Sequence, residues 1–159
     1  MSDEIIKQSG NVRAHNAALR SYKWAVDNRK KLFQKMSTTD YVTMWFLANI
    51  MEEPSENQRI YLQEMADKLK LPIPKVSKIV RELQERNLVK WKHDGAGEDG
   101  TYIQITEKGI KAANEQQEIL KEFYHNVIKR FGEEDFLDLI GKIGELEEIM
   151  NDEIEKMGG

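Results

Sequence analysis

Apolar side chains recur at helical spacing over most of the chain, and the places where that spacing fails divide it into short elements. Val12 to Met36 has few helix breakers and sets Leu19, Tyr22, Val26 and Phe33 at helical intervals, which predicts one long helix after a break near Gly10. Ser37, Thr38, Thr39 and Asp40 offer N-cap oxygens to the run Tyr41, Val42, Met44, Trp45, Phe46, Leu47 and Ile50. That run is apolar nearly all round, as a helix central to a core would be. Glu53, Pro54, Ser55, Glu56 and Asn57 read as a loop. Arg59 to Tyr61 then reads as a very short strand, and Leu62 to Leu69 as a helix.

Pro72 and Pro74 end that helix. Because proline has no amide hydrogen to lose at the start of a helix, the pair also suits a tight turn into a new helix from about Pro74 to Arg86. Leu88 to His93 and Thr101 to Thr106 have strand character, and Asp94 to Gly100 between them holds three glycines, so this stretch predicts a hairpin. Glu107 to Phe131 and Glu133 to Met157 return to helical spacing. The order helix, short strand, helix, turn, helix, hairpin is that of a winged helix-turn-helix, in which the second helix of the pair enters the DNA major groove. The fold class expected is mainly α with a small β-hairpin wing.

The second helix of the pair has two distinct sides. At about 100° per residue Val76, Ile79, Val80 and Leu83 form a core stripe, Ser77, Lys78 and Arg81 point away from it, and Lys75 lies on the flank. Lysine and arginine donate to guanine edges or phosphates and serine serves either, so this outward face has the chemistry for groove entry. The alternative for the helix alone is a solvated surface in which Lys78 pairs with Glu82 and Arg81 with Glu85.

Net charge sharpens the picture through its distribution. The chain of 159 residues carries −4, which taken alone argues against nucleic acid. From Lys68 to Lys92, however, eight basic residues (Lys68, Lys70, Lys75, Lys78, Arg81, Arg86, Lys90 and Lys92) face only Glu82 and Glu85, a net +6 that leaves −10 for the rest. A basic face on an acidic body is implied. Lys68, Lys70, Lys90 and Lys92 therefore join Lys75, Ser77, Lys78 and Arg81 as candidate DNA contacts.

Several function classes drop out. With no cysteine there is no thiolate metal site, cysteine nucleophile or disulfide. His15, His93 and His125 are far apart, which gives no metal-ligand spacing, and the glycines from Gly95 to Gly100 lack a following Lys-Ser/Thr, so neither a metal nor a nucleotide cofactor is expected. No catalytic constellation points to an enzyme. No stretch approaches the roughly 20 apolar residues of a membrane span, and the start MSDEIIKQSG has no signal-peptide pattern, so a cytoplasmic protein is expected.

Met65 to Gly109 resembles the winged-helix regulators of the multiple-antibiotic-resistance regulator (MarR) family. Ala66, Leu69, Val76, Ser77, Lys78, Leu83, Leu88, Val89, Thr106, Lys108 and Gly109 carry the likeness. The resemblance implies a single domain over 1–159, with a winged helix-turn-helix part at 38–109 and dimerisation helices at 1–36 and 110–159. It also implies a small, often aromatic or phenolic, effector, for which Tyr22, Trp24, Tyr41 and Trp45 are candidate pocket residues. Three departures stand out. Asn87 replaces a usual glycine, Pro72 and Pro74 replace typical serines, and the wing has Gly97, Glu98 and Asp99 where arginines are common. An acidic tip is repelled by phosphates, which argues against minor-groove insertion.

Phe136, Ile143, Met150 and Met157 lie seven apart with Leu139, Ile140 and Leu146 between them, a seam suited to helix packing with no later element to cover it. A homodimer is expected, presenting two recognition helices to a pseudo-palindromic double-stranded DNA operator. The expected function is a sequence-specific transcriptional regulator. The alternative is a winged-helix protein-interaction module whose basic face meets an acidic protein.

Overall fold

The computed structural model describes residues 2–49 and 59–158, apart from the side chains of 2–9, 49 and 98. In chain order its elements are α1 (Ser2–Leu32), α2 (Thr38–Asn49), β1 (Ile60–Tyr61), α3 (Leu62–Leu69), α4 (Ile73–Glu85), β2 (Val89–His93), β3 (Thr101–Ile105), α5 (Glu107–Phe131) and α6 (Glu133–Gly158). The mainly α fold with a small wing is as expected. The expected loop from Glu53 to Asn57 lies outside the described residues, as does Ile50.

The chain divides into two compact units, 1–117 and 118–159. In the first, the strands form an antiparallel sheet in the order β1-β3-β2, with Ile60 opposite Ile103 and Trp91 opposite the same residue from the other side. Helices α2, α3 and α4 close one core over it. Met44, Leu47, Met65, Val76, Val80, Leu83, Val89 and Ile103 are buried there, and each side chain removed from water contributes roughly 1.5–3 kcal/mol. The predicted stripe of α4 is buried as a set: Val76, Ile79, Val80 and Leu83.

Helix α1 departs from expectation at both ends. It begins at Ser2 and runs through Gly10, because a single glycine in a long helix costs only about 1 kcal/mol relative to alanine. It ends at Leu32 rather than Met36, and the reason lies on another helix. Gln116 of α5 is fully buried; its amide Nε2 donates to the Leu32 carbonyl at 2.8 Å and its Oε1 accepts the Lys35 N–H at 3.0 Å. Both groups at the helix end are thus satisfied by one side chain, and Met36 turns into the core.

In the second unit the last part of α5 meets α6 at Gly132, whose φ of +104° is open to glycine at little cost. Phe131 and Phe136 stack edge-on across this turn at 6.5 Å. No residue of α6 is buried. Ile143, Leu146 and Met150 of the predicted seam are 40, 55 and 52 % exposed in the single chain.

Candidate nucleic-acid interface

The helix-turn-helix is α3, a turn and α4. The turn is set by Lys70, a non-glycine residue at φ 54°, whose N–H bonds back to α3 carbonyls, while Leu71 N–H donates to Ala66 O at 3.1 Å. Pro72 follows in an extended conformation and starts α4, with Pro74 in its first turn and no side-chain cap. The turn therefore needs neither the glycine nor the serines usual for it, since a C-cap of this geometry satisfies the end of α3 and proline begins α4 with its φ already set.

On α4, Lys75, Lys78 and Arg81 are exposed and Ser77 is half-buried. Lys78 Nζ lies 3.9 Å from Glu82 Oε1, too far for a hydrogen bond, and an exposed pair of this kind is worth well under about 1 kcal/mol. The Arg81–Glu85 pair allowed by spacing is not formed among the described residues. Lys68 and Lys70 are exposed at the end of α3. Lys90 and Lys92 are exposed on β2, where Val89 is buried and Trp91 partly so, hence the lysines occupy the sheet face away from the core. Arg86 belongs to the basic stretch in sequence but not in effect: its guanidinium Nη2 donates to Asp40 Oδ2 of α2 at 2.8 Å.

A backbone turn and a set of side-chain bonds fix α4 relative to the wing. Asn87 takes φ 59°, the left-handed conformation its side chain type tolerates at a helix end. Gln84 Oε1 accepts the Trp91 N–H at 2.6 Å. Thr106 Oγ1 lies 2.7 Å from Asn87 O and 3.0 Å from Leu88 O, to which its hydroxyl donates, and accepts the Gly109 N–H at 3.0 Å, capping α5. Gly109 itself is required by space, since a Cβ there would sit 2.1 Å from the Leu88 carbonyl oxygen. The Thr106–Lys108–Gly109 signature thus seals α5 against the end of α4, with Lys108 Nζ donating to Arg86 O at 3.0 Å.

The wing loop is a built turn. Asp94 Oδ1 accepts the Ala96 N–H at 2.8 Å and Oδ2 accepts the Tyr61 hydroxyl at 2.9 Å. These two bonds, the Ala96 one foremost, hold the carboxyl below its ordinary value. His93 Nδ1 accepts the Gly95 N–H at 2.9 Å, and its Nε2 lies 2.6 Å from the Gly97 carbonyl oxygen, which assigns the ring proton to Nε2. Gly97–Gly100 forms a single 3₁₀ turn with Asp99 exposed. By sequence His93 ends a strand and Asp94 opens a glycine-bearing turn; an aspartate in that place is a local signal for the Ala96 bond, whereas the Tyr61 bond has none.

The four candidate effector residues lie on α1 and α2. Tyr22 and Trp24 are exposed on α1, two positions apart and so facing opposite sides of the helix. Tyr41 packs against Phe33, 5.8 Å between rings, and Trp45 against Phe46 at 5.3 Å. Trp24 borders a shallow surface depression with Ala17, Arg20 and Ser21. Among the described residues there is no cluster that could hold a metal ion and no helix long and apolar enough to cross a membrane.

No family model and no curated protein matches the sequence. The fold does match solved structures. A MarR family protein from Bacillus stearothermophilus aligns with a TM-score of 0.67 at 18 % identity, over 90 % of this chain and 97 % of its own. The S. aureus MepR–DNA complex aligns at 0.61 and 18 %, over 86 and 95 %. BpsR of Bordetella bronchiseptica, described as regulated in its DNA binding by 6-hydroxynicotinic acid, aligns at 0.65 and 12 %, over 85 and 98 %. The chain has the winged helix-turn-helix fold of MarR-family proteins.

Proposed function

We propose that the chain is a member of the MarR family, a homodimeric transcriptional regulator that binds double-stranded DNA through the outward face of α4. The observation that carries this reading is the division of α4 into a buried stripe of Val76, Ile79, Val80 and Leu83 and an exposed face of Lys75, Lys78 and Arg81 beside Ser77. Support comes from the MepR neighbour, whose structure is that of a DNA complex. Lys68, Lys70, Lys90 and Lys92 supply phosphate contacts around that helix.

The reading part lies within residues 38–109. Residues 1–36 and 110–159 supply the dimer, with the exposed seam of α6 covered by the second copy. One small domain leaves such a seam in water only where a partner is available. Two-fold pairing would set the two α4 helices about 34–36 Å apart, on half-sites one DNA turn apart. A small, often aromatic or phenolic, effector belongs to the same reading, with Tyr22, Trp24, Tyr41 and Trp45 as its candidate contacts; the BpsR neighbour, described as regulated in its DNA binding by 6-hydroxynicotinic acid, supports it.

Affinity for mixed-sequence duplex DNA, measured between about 50 and 200 mM salt, tests the reading. A linear fall of log affinity with log salt, steep enough for several phosphate contacts, is expected. Absence of duplex binding at the lowest salt contradicts it and favours the alternative in which the basic face meets an acidic protein.

A further inference from the structure

The wing of this chain poses a problem for DNA contact, since Asp99 stands exposed at its tip. The sheet behind the tip has the opposite character. In the β2–β3 register Lys90 lies opposite Gln104 and Lys92 opposite Tyr102, and β1 sets Tyr61 opposite Tyr102 from the other side. These residues share one sheet face, because Val89, Ile103 and Ile60 of the alternate positions are buried in the core. The Tyr61 and Tyr102 rings meet edge-on at 6.1 Å on it.

Arg59 completes this face. It immediately precedes β1, is exposed, and its guanidinium carbon sits 4.4 Å from the centre of the Tyr102 ring. A guanidinium over a ring face keeps N–H donors free at its rim for an oxyanion. The outer face of the sheet thus holds three cations, Arg59 on one edge and Lys90 and Lys92 on the other, with tyrosines between them. Carboxylates gather toward the tip: Asp94 is engaged by Tyr61 and the Ala96 N–H, and Glu64, Asp67 and Asp99 border a depression with Tyr61 on that side.

The geometry points to this face, with Arg59 as an unassigned contact residue, as a second docking surface for the phosphate backbone of duplex DNA: the wing meets DNA with its sheet rather than with its tip. Arg59, Lys90 and Lys92, away from the acidic tip side, are complementary to phosphate, and an arginine held over an aromatic ring loses less freedom on binding than a free side chain. The inference rests on the proposal that the chain binds DNA, and gives the acidic tip a place in solvent.

The test compares Arg59→Gln, Arg59→Lys and Lys92→Gln with Lys78→Ala in salt titrations against one mixed-sequence duplex, with thermal unfolding of each variant. Arg59→Gln and Lys92→Gln are each expected to reduce the log-log salt slope of the dimer by about two, one contact in each subunit, while Arg59→Lys retains the slope because it keeps the charge. Unchanged slopes for Arg59→Gln and Lys92→Gln, with Lys78→Ala altered, overturn the sheet-face inference and leave the reading of α4 intact. A slope lost equally by Arg59→Lys and Arg59→Gln together with a fall in unfolding temperature assigns Arg59 a packing role and also overturns it. Wild type without salt-dependent duplex binding overturns both.

Discussion

The side-chain oxygen of Gln84 accepts the backbone N–H of Trp91 at 2.6 Å, so the helix proposed to read DNA closes the outer edge of the strand that begins the wing. Strand β2 is an edge strand in the order β1-β3-β2, and its outward amide would otherwise face water. Replacing Gln84 with leucine removes the acceptor without adding charge. It is expected to cost about 0.5–1.5 kcal/mol in denaturant unfolding and to speed hydrogen exchange at the Trp91 amide. Unchanged exchange at that amide would show that the bond does not tie helix to wing.

Gly109 gives a stronger test of packing. Its added Cβ would meet the Leu88 carbonyl oxygen at 2.1 Å and Met44 Cε at 2.8 Å. The first neighbour is backbone, which does not swing aside as a side chain does. Gly109→Ala is therefore expected to destabilise by at least the roughly 1–3 kcal/mol of ordinary overpacking, despite alanine's better helix propensity. A stabilised variant would mean that α5 does not approach Leu88 this closely.

Asp94 makes wing order depend on pH in one direction only. Its folded pKa lies below its ordinary value of 3.8, owing first to the Ala96 N–H and then to the Tyr61 hydroxyl. A depressed carboxyl contributes its stabilisation above the unfolded pKa and loses it as pH falls through the folded value. Protection of the Ala96 amide should hold from neutral pH down to about 4 and decline below that. Asp94→Asn should abolish this dependence; a decline that persists in the variant would contradict the assignment to Asp94.

Much of this fold was legible in the sequence. The boundaries of α3, α5 and the hairpin follow from local signals: Pro72 after α3, Gly132 after α5, and three glycines between β2 and β3. Asn87 shows why a departure from a family pattern need not change the fold, since at φ 59° it does what glycine does elsewhere. What was hidden depends on residues distant in sequence. Gln116 ends α1 from 84 positions away, Asp40 takes Arg86 out of the basic surface, and Arg59 reaches the candidate face only through the pairing of β1 with β3. Local periodicity carries no record of such contacts.

The exposed seam of α6 predicts the assembly. Ile143→Lys combined with Leu146→Lys puts two charges where an apolar partner face would lie, and removing such side chains from water in a dimer becomes unfavourable. Light scattering should show wild type as a dimer at micromolar concentration and the double variant as a monomer. Because these residues are unburied in the single chain, the variant should keep its helical circular dichroism.

The outward face of α4 is the centre of the account, and fluorescence anisotropy with a labelled mixed-sequence duplex tests it directly. Wild type and the double variant Lys78→Ala with Arg81→Ala are titrated at matched salt between about 50 and 200 mM. Loss of two phosphate contacts in each subunit lowers the log-log salt slope of the dimer by about four and weakens binding at every salt concentration. Superimposable titrations for wild type and variant would contradict the assignment of α4 as the helix that meets DNA.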